Sequence, residues 1–156
     1  MSDQIITKPI YLLALFCLCG LISLISPASA TIFQLDGAVI EETDLYALTN
    51  SSGESVNMSD PIIFFYDPDC GACAAAHEFI NGYLAEHPDQ EMSLVNIAEG
   101  EEQMRQFDDN KTRFNREGVS VPVLYIGPVA LEGSGTIKTH TAETIAWYLS
   151  LQKKNS

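Results

Sequence analysis

Two cysteines, Cys70 and Cys73, are separated by only two small residues, Gly71 and Ala72. At this spacing, on the first turn of a helix, both side chains face the same side and can form a disulfide with little backbone movement. The unpaired amides and the dipole at a helix N-terminus favour a thiolate, so Cys70 is expected to attack a substrate disulfide. Cys73, one turn deeper, is expected to resolve the mixed disulfide, and the same steps in reverse would oxidise a dithiol.

The flanking sequence predicts the elements that would position this pair. Residues 62–66 form a continuous β-branched and aromatic run, bounded by Pro61 and by 67–69, which indicates a strand buried on both faces. Over 72–87, apolar residues recur at helical spacing until Pro88 ends the pattern. A buried strand is therefore expected to lead directly into a helix that begins at the cysteines.

The rest of the chain alternates between strand and helix patterns. In chain order, the patterns first predict a hairpin of strands over 44–49 and 54–58 and then a strand over 92–97. A helix is predicted over 101–115 with Met104, Phe107 and Phe114 inward, followed by a strand over 121–126 with Pro122 at its start or edge. A last strand is predicted within 130–138 around Gly133, before a final helix N-capped by Thr141 just after His140. Their alternation predicts an α/β fold with a central mixed β-sheet flanked by helices.

The composition narrows the function classes. The 156 residues include 8 Lys and Arg against 21 Asp and Glu, for a net charge of −13, and 46% of them are hydrophobic. A chain without clustered basic residues lacks the surface that binds nucleic acid or an anionic membrane, so no nucleic-acid partner is expected. The length and the apolar content predict one folded domain with its own core.

The N-terminus predicts export. An apolar run over 10–25 is followed by small residues, with Ala28 and Ala30 at the two positions that a signal peptidase requires to be small. We therefore expect a signal peptide over 1–30, a domain over 31–156, and an extracytoplasmic location, either periplasmic or secreted. An uncleaved membrane anchor facing outside is the alternative, although the apolar run is shorter than the ~20 residues that usually span a bilayer.

Removal of the signal segment changes the cysteine count. Cys17 and Cys19 lie within this segment, so only Cys70 and Cys73 of the four cysteines belong to the domain. Oxidising compartments preserve disulfides, but a pair this close in sequence closes too small a loop to stabilise a fold. The pair is therefore expected to be chemically active.

Together these residues resemble the thioredoxin superfamily. The resemblance covers about 44–151 and depends on Cys-Gly-Ala-Cys at 70–73 between a buried strand and an amphipathic helix, with Ser-Val-Pro at 120–122 before a later strand. It implies a thioredoxin-like fold without a bound cofactor, whose partners are protein thiols or disulfides and a membrane or soluble electron-transfer protein. It also implies that Pro122 is a cis proline against the redox pair and that the backbone at Val121 pairs with an extended substrate.

The chain also resembles particular exported relatives and departs from others. The Phe-Tyr-Asp-Pro sequence at 65–68 resembles Dsb-type enzymes, and the predicted hairpin around Gly53 is similar to that of cytochrome-c-maturation thioredoxins. Cytosolic thioredoxins have a buried Asp where this chain has Phe64, so Asp67 or a water would have to accept the proton. Ala72 cannot stabilise a thiolate as the His of strongly oxidising relatives does, so we expect a disulfide that is not a strong oxidant.

Two other functions fit the same pair. Cys70 and Cys73 could hold copper or zinc with His77, or grip a partner without turnover, which would make the protein a binding module. A thiol peroxidase that uses Cys70 is the third alternative. The main prediction is an exported thiol-disulfide oxidoreductase of the protein disulfide reductase or isomerase kind. In it Cys70 and Cys73 are catalytic and form a disulfide, Val121 and Pro122 bind substrate, and no metal is held.

Overall fold

The structure is a computed structural model that describes residues 31–50 and 60–154. The predicted signal segment over 1–30 and the predicted strand over 54–58 lie outside the described residues. Within the described ranges, no helix combines the length and the apolar character that crossing a membrane requires.

Six strands and four helices follow one another along the part of the chain that the structure describes. They are β1 (Thr31–Gln34), β2 (Val39–Ile40), α1 (Glu42–Asn50), β3 (Ile63–Tyr66), α2 (Gly71–Glu86), β4 (Ser93–Asn96), α3 (Glu101–Arg113), β5 (Val123–Ile126), β6 (Val129–Glu132) and α4 (Ser134–Lys154). The strands form one sheet in the order β2-β1-β6-β5-β3-β4. β3 and β4 are parallel, whereas the other neighbouring pairs are antiparallel. The predicted α/β class, with a mixed sheet flanked by helices, is confirmed.

The mixed pairing brings two separate segments to one edge of the sheet. Because β3 and β4 run in parallel, with Tyr66 opposite Asn96, both strands end at this edge. β5 runs the other way, with Val123 opposite Phe65, so its first residue lies at the same edge. The turn after β3 and the segment before β5 therefore meet where the chain carries the cysteine pair and the predicted substrate-binding proline.

Apolar side chains cover both faces of the sheet. On one face, Phe64 packs with Ala76 of α2 and Ile137 of α4, in a cluster that α1 also joins. On the other face, Phe65 packs with Phe107 of α3. Phe64 and Phe65 are neighbours in β3, and both are completely buried. The prediction of a strand buried on both faces is therefore confirmed.

The strand predicted over 44–49 is wrong, because these residues belong to helix α1. Leu45 and Leu48 are three residues apart, and both pack in the core on the α4 side of the sheet. Glu42 and Asp44 lie in the first turn of the helix, where the dipole favours negative charge. Burial of one helical face therefore decides this conformation. β1 and β2 have no counterpart among the predicted elements.

The C-terminal boundaries also differ from the prediction. The last strand is Val129–Glu132, and Gly133, with a φ of 88°, ends it just before α4 begins. Thr141 is therefore inside α4 rather than its N-cap, and its hydroxyl donates to a carbonyl one turn earlier over 2.6 Å. His140 beside it is buried within the same helix. Met104, predicted inward on α3, is 41% exposed.

The turn between β5 and β6 depends on a glycine. Gly127 has a φ of 56°, and a Cβ added there would collide with the ring of Tyr148. We expect Gly127→Ala to lower the free energy of unfolding by about 2–4 kcal/mol, because the positive φ and the collision both oppose alanine. Urea unfolding followed by tryptophan fluorescence measures this change.

The matched control is Gly82→Ala in α2, where an added Cβ meets nothing within 4 Å. Alanine is the better helix former, so this substitution is expected to raise the free energy of unfolding by up to about 1 kcal/mol. Equal effects of the two substitutions would contradict the assignment of strain to Gly127.

Candidate functional site

A tight turn after β3 places Cys70 at the N-terminus of α2. The Asp69 amide donates to Asp67 Oδ1 over 2.8 Å, and the Cys70 amide donates to the Asp67 carbonyl over 3.1 Å. Cys70 is the N-cap of α2, with φ −88° and ψ 116°, and its carbonyl accepts a hydrogen bond from the Cys73 amide over 3.0 Å. The predicted position of Cys70 at the start of a helix is therefore confirmed.

The two cysteines are free thiols in different environments. Cys70 is half-buried, whereas Cys73 is 1% exposed. The pKa of Cys73 is raised to about 12, mainly by burial, and a hydrogen bond and the charge of Cys70 contribute to this rise. The charge of Asp67 acts in the same direction, and only a hydrogen bond with the Asp67 backbone lowers this pKa. Cys73 is therefore protonated at neutral pH.

The segment before β5 lies against the cysteine pair. Cys70 Sγ donates to the Val121 carbonyl oxygen over 3.9 Å, a contact between residues 51 apart in sequence. The Val121–Pro122 peptide bond is cis, and Pro122 is buried. The Pro122 carbonyl accepts a hydrogen bond from the Gly133 amide over 2.8 Å. The structure thus brings together the four residues to which sequence assigned catalysis and substrate binding.

An open groove of about 580 Å³ lies beside Cys73, between α2 and the ends of β3 and β4. His77 and Tyr66 line it, with their ring centroids 4.5 Å apart, and His77 Nδ1 lies 3.3 Å from Asn81 Nδ2. The aromatic and amide contacts hold His77 in the wall of this groove. In the part of the chain that the structure describes, no group of three or more His, Cys, Asp or Glu side chains is arranged to hold a metal ion.

A buried acid that the sequence analysis did not single out lies behind the proline segment. Glu132, the last residue of β6, is 5% exposed, and its Oε1 accepts a hydrogen bond from the Ser120 amide over 2.7 Å. Burial raises the pKa of Glu132, while the Ser120 hydrogen bond and the charge of Arg116 lower it. The signal in the sequence is the acid that directly follows the apolar run over 129–131.

Comparisons of the chain with protein-family models, with curated proteins and with solved structures found no match. The candidate site consists of a half-buried thiol at a helix N-terminus, a fully buried thiol in the next turn, and a backbone carbonyl that faces the first thiol. These are groups that can attack, resolve and orient a disulfide.

The different environments of the thiols predict different reactivities. At pH 7, iodoacetamide is expected to modify Cys70 and to leave Cys73 intact in the folded protein, as measured by mass spectrometry of tryptic peptides. With a pKa of about 12, Cys73 is almost entirely thiol, and the thiolate is the nucleophile. As long as the pH stays below this pKa, the reactivity of Cys73 should increase about tenfold for each unit by which the pH is raised, because the thiolate fraction increases in that proportion.

The control is the same reaction in urea, where both cysteines should be modified. In Cys70→Ser, Cys73 loses the charge of Cys70, which raises its pKa, so it should react faster than in the unchanged protein. Burial remains, so it should still react more slowly than in urea. Equal modification of the two thiols in the folded protein would show that the difference in environment has no chemical effect.

Proposed function

We propose that this protein is an exported thiol-disulfide oxidoreductase with a thioredoxin-like fold, acting on protein cysteines without a bound cofactor. The observation that carries the proposal is the position of Cys70, half-buried at the N-terminus of α2 with Sγ 3.9 Å from the Val121 carbonyl. The order of elements supports the fold, because a helix follows the buried strand β3 and Pro122 immediately precedes the antiparallel strand β5.

The proposed reaction consists of two exchanges. The Cys70 thiolate attacks one sulfur of a substrate disulfide, the substrate S–S bond breaks, and one substrate thiolate leaves and takes a proton from water. Cys73 then loses its proton and attacks Cys70 Sγ, which forms the Cys70–Cys73 disulfide and releases the second substrate thiol. Two electrons pass to the substrate, and a dithiol partner restores the pair. The reverse sequence oxidises a substrate dithiol.

Val121 and Pro122 form the substrate-binding segment in this proposal. The Val121 carbonyl points at Cys70 Sγ, so a substrate bound to Cys70 would lie alongside this backbone. An extended chain that pairs with an exposed backbone obtains main-chain hydrogen bonds that do not depend on its side chains. This arrangement suits protein substrates of varied sequence.

Asp67 is the proposed proton acceptor for Cys73. A thiol with a pKa of about 12 must lose its proton before it can attack, and the charge and the backbone of Asp67 both act on Cys73. The carboxyl is held in the turn because its Oδ1 accepts the Asp69 amide. Phe64, which occupies the place of the buried acid in cytosolic thioredoxins, is completely buried in the core and has no group that could accept a proton.

Export is proposed from the predicted signal segment over 1–30. A periplasmic or secreted location would suit a redox pair, because oxidising compartments contain the protein disulfides on which it would act. An electron-transfer protein, membrane-bound or soluble, would then restore the pair after each turnover.

The two variants in which one cysteine is replaced by serine are expected to lose activity at different steps of the reaction. Cys70→Ser removes the nucleophile and should abolish the acceleration by the protein of insulin reduction with dithiothreitol, leaving only the uncatalysed rate. When it is mixed with insulin in the absence of dithiothreitol, Cys73→Ser should instead retain the first exchange and accumulate a mixed disulfide between Cys70 and the substrate, because the protein has no second thiol to displace it. Non-reducing electrophoresis and mass spectrometry detect that species.

The controls for this experiment are the unchanged protein and His77→Ala. His77→Ala should reduce insulin normally, since the proposed mechanism gives His77 no part. Absence of exchange in the unchanged protein, together with stoichiometric zinc or copper binding that Cys70→Ser and His77→Ala remove, would overturn the proposal in favour of a metal-binding module. Rapid Cys70-dependent consumption of peroxide without disulfide exchange would overturn it in favour of a peroxidase.

Asp67→Asn tests the proton acceptor. Asparagine keeps an oxygen for the Asp69 amide but cannot take a proton, so release of the mixed disulfide should slow by about tenfold or more, because a positioned base contributes roughly 10² to 10⁴ and water replaces it in part. Stopped-flow measurement of substrate release gives this rate. Asp69→Asn, an exposed acid in the same turn, is the matched control and should leave it unchanged. Faster release in Asp67→Asn would mean that Asp67 acts on Cys73 only as a charge.

A further inference from the structure

Glu132 is a buried carboxyl at the edge of the sheet where β5 begins. It lies between Thr31 of β1 and Val123 of β5, is 5% exposed, and is the last residue of β6. Taking a carboxyl out of water costs free energy unless hydrogen bonds or opposite charges compensate for the loss. The raised pKa of Glu132 reflects that cost. A specific interaction must therefore offset it.

That interaction is with the backbone of the substrate-binding segment. Glu132 Oε1 accepts a hydrogen bond from the Ser120 amide over 2.7 Å. The next residue, Gly133, donates its amide to the Pro122 carbonyl over 2.8 Å. Two consecutive residues at the end of β6 therefore hold the first and the last residue of 120–122.

The middle residue of this segment is Val121. Its carbonyl oxygen is the one that faces Cys70 Sγ at 3.9 Å. Because the residues on both sides are bound to the end of β6, the direction of the Val121 carbonyl depends on those two hydrogen bonds. One comes from a backbone amide that no side-chain substitution removes, and the other depends on the side chain of Glu132.

A positive charge supports the carboxyl in this position. The charge of Arg116 acts on Glu132, and the guanidinium group of Arg116 lies 5.0 Å from the ring centroid of Phe33, which faces the same side of the sheet. The carboxyl is therefore held between its hydrogen bond to Ser120 and the charge of Arg116. Charge-assisted hydrogen bonds of this kind are about twice as strong as neutral ones.

We propose that Glu132 is a positioning residue that holds 120–122 so that the Val121 backbone is preformed for an extended polypeptide substrate at Cys70. This inference rests on the proposed function, and it assigns the selectivity for polypeptide over small disulfides to a side chain that never touches the substrate. A preformed backbone spares the substrate the entropic cost of ordering the loop. A small disulfide that reaches Cys70 without pairing to Val121 gains nothing from this preformed backbone.

The test compares a polypeptide and a small disulfide on the same variants, with insulin and 5,5′-dithiobis(2-nitrobenzoate) as the probes and the full chain as the protein. Glu132→Ala should raise the KM for insulin by about tenfold, the equivalent of one lost hydrogen bond to a charged group. The kcat for insulin and the rate with the small disulfide should stay within about twofold, because Cys70 and Cys73 are unchanged. Glu132→Gln should restore the KM, since its amide oxygen can accept the Ser120 amide.

Stability is controlled in two ways. Tyr148→Phe removes a different hydrogen bond of a buried side chain, the one that the Tyr148 hydroxyl donates to the Asp60 carbonyl over 2.7 Å. Asp60 precedes β3, whereas the cysteines follow it, so this bond lies toward the opposite end of that strand. The substitution should lower the thermal midpoint without raising the KM for insulin. If Glu132→Ala does not fold, Glu132→Asp takes its place, because the shorter side chain keeps the charge but withdraws the carboxyl from Ser120.

Three results would overturn the inference: an unchanged KM for insulin in Glu132→Ala, an equal loss with both disulfides, or a loss in Glu132→Gln as large as in Glu132→Ala. Failure of the unchanged protein to exchange either disulfide would refute the proposed function itself. Positioning is then still tested by hydrogen exchange at the Ser120 amide, which should be protected in the unchanged protein and in Glu132→Gln and exposed in Glu132→Ala. Equal protection of the Ser120 amide in the unchanged protein, Glu132→Gln and Glu132→Ala would refute the positioning role of Glu132.

Discussion

The pairing of β3 with strands on both sides is the constraint on which the rest of the structure depends. Phe64 and Phe65 are completely buried on opposite faces, and burial of such side chains contributes about 1.5–3 kcal/mol each. A strand that buries both faces cannot slip by one residue without exchanging its two sets of side chains between two different cores. Its end at Tyr66, and hence the start of α2 at the cysteines, is therefore held in register with β4 and β5.

The same pairing creates the chemical difference between the two thiols. Cys70 lies at the N-terminus of α2, where the helix leaves the sheet edge, and remains accessible. Cys73 is one turn further along, against the sheet, and burial keeps it protonated with a pKa of about 12. A half-buried thiol and a fully buried thiol thus arise from one helical turn placed against one apolar surface. The carbonyl of Val121 completes the site from the other side of β3.

Much of this could be predicted from local patterns. The run over 62–66 and the helical stripe after Cys73 depend on residues within a few positions of each other, and both predictions are confirmed. The strand predicted over 44–49 is wrong because a short apolar run fits a strand or a helix equally well, and the burial of Leu45 decides between them. Thr141 has the right chemistry for an N-cap, but the helix begins seven residues earlier, where Gly133 ends β6.

The sequence by itself determined the pair of thiols, their spacing, the buried strand before them and the helix after them, because hydrophobic periodicity and i, i+3 geometry are local properties. Only the tertiary structure decided what faces the pair. Val121 meets Cys70 across 51 residues of chain, and the Ser120 amide finds Glu132 across 12, because β3, β5 and β6 are neighbours in the sheet. The burial of Cys73 and of Glu132 follows from the same packing, which no local pattern encodes.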